Sequence, residues 1–170
     1  VPHDDDDLPL PGAADFIGFA PVLGPRSEDI FRIRTDGAVD VWPGLGHGRF
    51  GRRIALPALD LDGALRPSDV HVVDLDGDGL ADIVYRSPAG LRLYTNLSGH
   101  GFGAPVVRAW PEGTRCGPGW RLDVVDFSGR GGPTALLRPA PSGNDTAAEA
   151  WRIDIGEPFA LRMGSVTNHQ

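Results

Sequence analysis

Four aspartates lie in one nine-residue stretch, 74–82, which reads Asp-Leu-Asp-Gly-Asp-Gly-Leu-Ala-Asp. Carboxylates at alternate positions supply the oxygen ligands that a hard cation such as Ca²⁺ accepts, and glycines allow the sharp turn that brings them together. The stretch therefore predicts a calcium site. Its ligands would be water and five protein groups: the side chains of Asp74, Asp76, Asp78 and Asp82 and the backbone carbonyl of Leu80.

The residues around this stretch distinguish it from an EF-hand. An EF-hand needs a bidentate Glu at position 12 and a helix on each side, but position 12 here is Tyr85. The flanking segments Val70–Val73 and Ile83–Tyr85 are rich in β-branched and aromatic residues and are too short for helices. The loop is therefore predicted to join two strands.

An acidic turn can also be solvated and hold no ion. Two carboxylates about 4 Å apart repel each other by about 4 kcal/mol at an effective dielectric constant of about 20, so four converging carboxylates without a cation would be destabilising. This argument favours an occupied site. The loop offers neither a nucleophile nor a general base beside the metal, so the ion is predicted to stabilise the fold and not to catalyse a reaction.

Composition excludes several classes of partner. The net charge is −7, and no segment gathers the 16 basic residues, all arginine, into a basic stripe; nucleic acid and anionic membranes are therefore not expected to bind. No apolar run approaches the length of a transmembrane helix, so direct membrane insertion is not expected.

Cys116 is the single cysteine, so no internal disulfide can form. The 24 glycines and 16 prolines favour many short strands separated by turns.

Catalytic motifs are missing from the sequence: it contains no HExxH, GxSxG, P-loop or dinucleotide fingerprint, and we predict that the chain is not an enzyme. His47 and His100 occupy equivalent Gly-His-Gly turns, which indicates a structural role in the turn. The tryptophans are open to two interpretations, a sugar-stacking platform or core packing, and their places in or beside predicted strands favour the core. They are Trp42, Trp110, Trp120 and Trp151.

The chain matches itself at a spacing of about 52 to 53 residues, and a period of about 40 to 50 is typical of propellers. Only the second unit keeps the whole acidic loop. In the first, Pro21, Leu23 and Pro25 replace three ligands and leave only Asp29. In the third unit, Arg130 takes a ligand position, where it would either pair with an aspartate in place of the cation or lie in solvent. The other aligned positions of the third unit are Asp126, Ser128 and Thr134.

These units predict an all-β fold, a partial β-propeller of three four-stranded blades at about 15–60, 66–111 and 119–163. Residues 1–14 are expected to form an acidic flexible tail, and 164–170 a second tail. Closed propellers usually have about four to eight blades, so we expect a fragment of a larger propeller, cut from a longer chain because it begins at Val1. Exposed blade edges could drive self-association of such a fragment.

Two stretches support a family resemblance. The acidic loop is followed by Asn96–Pro105, which ends in a literal Phe-Gly-Ala-Pro, and this combination resembles the FG-GAP or VCBS repeat of integrin-like β-propellers. Together with the Val-Trp-Pro-Gly-Leu-Gly-His-Gly-Arg-Phe-Gly of Val41–Gly51, it looks like the middle region of bacterial toxin-complex B components, related to the insecticidal Tc toxins. This likeness covers Asp15 to Met163.

The resemblance implies a function outside the bacterial cell. In that family the propeller docks on a pore-forming A component and acts as a gate of a shell formed with a C component, so the implied role is a secreted scaffold in virulence, with A and C components as partners. FG-GAP repeats also occur in adhesins and lectins, and the alternative is a glycan-binding or adhesion module. Saturable sugar binding would favour that alternative.

Overall fold

The structure is a computed structural model that describes Leu8 and residues 14–110, 120–125, 133–139 and 151–155. Several sequence predictions lie outside these residues and stay predictions. They concern the two tails, Cys116, Asp126, Ser128, Arg130 and the side chain of Trp151.

The described chain is built almost wholly from antiparallel strands, as the sequence predicts. A first sheet has the order β1-β2-β3-β6, a second the order β7-β8-β9-β10 and a third the order β11-β12-β13, and β4 and β5 form a separate two-stranded hairpin. The all-β, partial-propeller fold class is confirmed. The strands are β1 Phe16–Ala20, β2 Asp29–Ile33, β3 Val39–Trp42, β4 Gly44–Gly46, β5 Arg49–Phe50, β6 Ile54–Leu56, β7 Val70–Val73, β8 Asp82–Ser87, β9 Gly90–Tyr94, β10 Val106–Ala109, β11 Trp120–Val125, β12 Thr134–Pro139 and β13 Trp151–Asp154.

The three larger sheets pack face to face through two hydrophobic clusters. Side chains alternate between the two faces of a strand, and in β8 of the second sheet Ile83 and Tyr85 join the first core cluster while Val84 joins the second. The first core cluster contains Phe31 and Val41 of the first sheet, and the second contains residues of the third sheet. The second sheet is therefore the middle layer of the stack.

Two small elements are absent from the sequence prediction. The hairpin β4–β5 lies in the glycine-rich turn that contains His47, whose φ of 53° is positive. A short 3₁₀ turn at Pro67–Asp69 precedes β7. Elements of two or three residues carry no period-2 pattern, so hydrophobic alternation does not reveal them.

A buried carboxylate in β3 of the first sheet binds two arginines. Asp40 is 1% exposed and accepts hydrogen bonds from Arg32 Nη2 at 2.7 Å and from Arg53 Nη1 at 2.9 Å. Burial raises the pKa of Asp40, but the hydrogen bonds and charges of the two arginines outweigh burial and hold the pKa below its usual value. Arg32 also lies over the ring of Trp42, 5.5 Å from its centroid.

Candidate calcium-binding loop

The acidic loop lies between β7 and β8 and is tied to the first sheet. Asp82 begins β8 and pairs with Val73, the last residue of β7, so the loop joins two antiparallel neighbours as the sequence predicts. Gly77 and Gly79 have φ values of 81° and 83°, a left-handed conformation that favours glycine. At the end of the loop, the N–H of Ala81 donates to the carbonyl oxygen of Pro21 at 2.8 Å.

Three of the predicted ligands come together. One carboxylate oxygen from each of Asp74, Asp76 and Asp78 lies within 4.8 Å of the other two. The backbone turns around Asp74, whose two oxygens accept the N–H groups of Gly77 at 2.7 Å and Gly79 at 2.9 Å. These bonds hold the backbone in a tight turn with the three carboxylates on one side. The oxygen-only donor set suits a hard cation of the calcium type.

Asp78 and Leu80 are connected by local hydrogen bonds in the second half of the loop. The N–H of Leu80 donates to Asp78 Oδ1 at 2.8 Å, and the N–H of Asp78 donates to Asp76 Oδ1 at 3.2 Å. Asp76 and Asp78 are exposed, while Asp74 is half-buried. A cation at this position would therefore be open to solvent on one side, which leaves room for water ligands.

Asp82 is placed differently from the other three aspartates. It is fully buried, and its two carboxylate oxygens accept the N–H groups of Leu75 and Asn96, each at 2.6 Å. Burial raises the pKa of Asp82 to about 6; the two backbone hydrogen bonds oppose this rise, and the negative charges of Asp76 and Asp78 add to it. Asp82 thus joins the loop to the segment that follows β9, whether or not it also binds a cation.

The first sheet contains the same arrangement without the acidic loop. Asp29 is fully buried, and its Oδ2 accepts the N–H groups of Val22 at 3.0 Å and Leu23 at 2.8 Å. Its Oδ1 accepts the N–H of Gly44 at 2.9 Å, beyond the end of β3. Sequence reasoning treated Asp29 as the remnant of a ligand set. One feature of the sequence does indicate a structural role: Asp29 is kept although Pro21, Leu23 and Pro25 replace the other ligands.

Asn96 connects the loop region of the second sheet to the first sheet. Its Nδ2 donates to the carbonyl oxygens of Val22 at 2.9 Å and Ala81 at 3.2 Å, and its Oδ1 accepts the N–H of Gly99 at 2.8 Å. Asn96 is 7% exposed. It begins an Asn-Leu-Ser glycosylation sequon, but its amide group is buried and fully used by the fold.

The described tryptophans support core packing over a sugar-binding platform. Trp42 is 1% exposed, and Trp110 and Trp120 pack against the second core cluster. Trp110 Nε1 also donates to the carbonyl oxygen of Ser87 at 3.0 Å. His47 and His100 are exposed at their turns, and the structural role predicted for them stays a prediction.

Comparison with known families identifies the repeats. An FG-GAP-like repeat model matches residues 26–85, and an FG-GAP repeat model matches residues 67–104. Both matches cover the acidic loop. They identify FG-GAP repeats within residues 26–104, and the stacked antiparallel sheets are those of a partial β-propeller.

Solved structures show a more specific likeness, to Tc toxins. A chain of the Tc holotoxin pore of Photorhabdus luminescens matches with a TM-score of 0.74 and 33% identity over 85% of this chain. Chains in crystal structures of TcdB2-TccC3-Cdc42 and of TcdB2-TccC3 match with a TM-score of 0.74 and 34% identity over 87%. The chain thus resembles the propeller region of toxin-complex B components, as the sequence indicated.

The matched region is a small part of each relative, because this chain spans 7% of the length of the solved chains that it matches. The comparison with curated proteins gives no match. Within the described ranges, no helix has the length and apolar character needed to cross a membrane.

Proposed function

We propose that this chain is a noncatalytic, calcium-stabilised β-propeller segment of a toxin-complex B-like protein. It would serve as a scaffold and as a docking and gating surface for partner toxin subunits. The observation that carries this proposal is the likeness to the TcdB2-TccC3 structures, at 34% identity over 87% of this chain. By that likeness, the expected partners are toxin A and C components and the expected site of action is outside the bacterial cell.

The calcium part of the proposal rests on the loop geometry. Asp74, Asp76 and Asp78 present converging oxygens, and we assign the carbonyl oxygen of Leu80 and the carboxylate of Asp82 as the remaining protein ligands. Each Asp82 oxygen already accepts one N–H group and keeps a second lone pair that a cation can use. The ion would neutralise the repulsion between the carboxylates. It would also stabilise the end of the loop, where the hydrogen bond from Ala81 to Pro21 connects the second sheet to the first.

An affinity typical of extracellular calcium modules sets the size of the effect. With a Kd of about 0.1 mM, calcium at about 1 mM stabilises the folded state by about 1.4 kcal/mol. A stabilisation of this size is that of a structural ion, which adds to the stability that the two core clusters already provide.

A chimera tests the scaffold role. The matched region of TcdB2 would be replaced by residues 15–163 of this chain, and formation of the TcdB2-TccC3 complex and of the holotoxin would be measured by size exclusion and electron microscopy. We expect the chimera to assemble. A control chimera would carry Asp36→Asn, since the Asp36 side chain is 70% exposed and lies far from the acidic loop in sequence.

A chimera that retains calcium-dependent melting, and is therefore folded, but does not assemble would contradict the scaffold role. The alternative of a glycan-binding module predicts a different result, a sugar-dependent rise in the melting temperature of the isolated chain. The packed positions of Trp42, Trp110 and Trp120 give that alternative no support.

A further inference from the structure

A histidine lies at the joint between the second and third sheets. His71 is in β7, where Val70 and Val72 face the first core cluster and Val73 packs against the second. Because side chains alternate along a strand, His71 points to the same side as Val73, toward the third sheet. The imidazole is half-buried there.

The charged groups around His71 form ion pairs with arginines, although the buried Oδ2 of Asp69 makes no hydrogen bond. Asp69, in the 3₁₀ turn before β7, has Oδ1 2.8 Å from Arg86 Nη2 and Oδ2 2.8 Å from Arg66 Nε. Asp123 of β11 binds Arg138 of β12 at 2.7 Å. Among the described residues, the His71 imidazole itself makes no hydrogen bond or ion pair.

Arg86 carries a positive charge that acts on His71, and it also connects the second and third sheets directly. Its Nη1 donates to the carbonyl oxygen of Trp120 in β11 at 2.6 Å. Burial lowers the pKa of His71; the charges of Asp123 and Asp69 oppose this effect and the charge of Arg86 adds to it. A proton on the imidazole would therefore introduce a half-buried positive charge, which Arg86 repels, at a joint where Asp69 and Asp123 already form ion pairs with arginines.

We propose that the joint between the second and third sheets is an acid-sensitive hinge that loosens when His71 is protonated. An unfolded or opened chain binds the proton more readily than the closed joint. Stability conferred by the neutral imidazole is present above the ordinary histidine pKa of about 6.5 and is lost as the pH falls below it. Protonation of His71 would weaken the packing of the third sheet on the second in acidic surroundings. The joint between the first and second sheets has no equivalent histidine, because Gly18 occupies the aligned position.

The test compares the whole chain with its His71→Gln variant between about pH 7.5 and about pH 5.5, in excess calcium. Amide hydrogen exchange, corrected for the intrinsic pH dependence, would be followed in β11 and in β2. For the natural chain we expect the opening equilibrium of β11 to increase by up to about tenfold per pH unit below pH 6.5, with β2 unchanged. The variant should show a smaller increase, and His100→Gln, at an exposed turn, should behave like the natural chain.

A second measurement keeps the inference testable if His71→Gln folds poorly. The NMR titration of the His71 imidazole in the natural chain should give a pKa below the ordinary value of about 6.5. Titration of His71 at or above that value would overturn the proposal, and so would an acid-induced increase in β11 exchange that is the same in His71→Gln and in the natural chain.

Discussion

Replacing Asp29 by Asn isolates the structural role of the aspartate that both repeats retain, because the first sheet lacks the acidic loop. The Asp29 carboxylate accepts three N–H groups, from Val22, Leu23 and Gly44, and the Ser27 hydroxyl at 2.9 Å. An asparagine amide has one oxygen and one NH₂ group, so it cannot accept bonds on both sides. In its better orientation the NH₂ group faces Gly44, and that N–H is left without an acceptor.

The expected cost follows from these bonds. A buried hydrogen bond to a charged group contributes about 1.5–3 kcal/mol, and the bonds that remain weaken from charged to neutral by several tenths of a kcal/mol each. The sum is about 3 kcal/mol of unfolding free energy. With an m value of about 2 kcal/mol/M, the urea midpoint should fall by about 1.5 M.

The matched control is Asp36→Asn. The Asp36 side chain is 70% exposed, and it accepts one N–H group, from Ala38, at 3.0 Å. This change should alter the unfolding free energy by less than about 0.5 kcal/mol. Urea unfolding monitored by circular dichroism in excess calcium measures both variants. If the midpoint of Asp29→Asn is no lower than that of Asp36→Asn, the reasoning about the buried carboxylate is refuted.

Further predictions separate the roles of three other aspartates and of Asn96. Asp82→Asn should lower the urea midpoint both with calcium and with a chelator, because it also loses hydrogen bonds to the backbone. Asp78→Asn should lower the urea midpoint only with calcium. Equal effects of the two variants in chelator would contradict this difference. Asp40 has a lowered pKa, so its stabilising effect is present above about pH 4 and is lost as the pH falls further. Asp40→Asn should therefore flatten the acid limb of stability in urea titrations, and an unchanged limb would exclude that role. Asn96→Ala should cost about 2 kcal/mol by leaving buried carbonyl oxygens without donors, and a melting temperature within one degree or so of the natural chain's would contradict it.

The second sheet and its loop were predictable from the sequence because their signals are local. Val70–Val73 and Ile83–Tyr85 are β-branched and aromatic runs, and the alternate aspartates between them need only a tight turn to converge. The convergence of Asp74, Asp76 and Asp78 is therefore a short-range consequence of spacing. The boundaries of the three repeats stay a prediction.

The bonds of Asp82 and Asn96 could not be predicted in the same way. Asp82 accepts the N–H of a residue 14 positions away, and Asn96 donates to Val22, 74 positions away. Such contacts depend on how sheets pack, which hydrophobic periodicity does not specify. The same limit applies to His71, whose place at the joint follows from the alternation of β7 only once the neighbouring sheets are known.

Calcium titration of the natural chain and of Asp78→Asn shows whether this loop binds calcium through its carboxylates. Isothermal calorimetry and melting curves would be recorded for both proteins after treatment with a chelator. We expect saturable binding by the natural chain with a Kd of about 0.1 mM and a rise in melting temperature of about 3–5 °C at about 1 mM calcium, both largely lost in Asp78→Asn. No calcium-dependent shift in the natural chain, or the same binding in Asp78→Asn, would contradict the assignment of this loop as a calcium site.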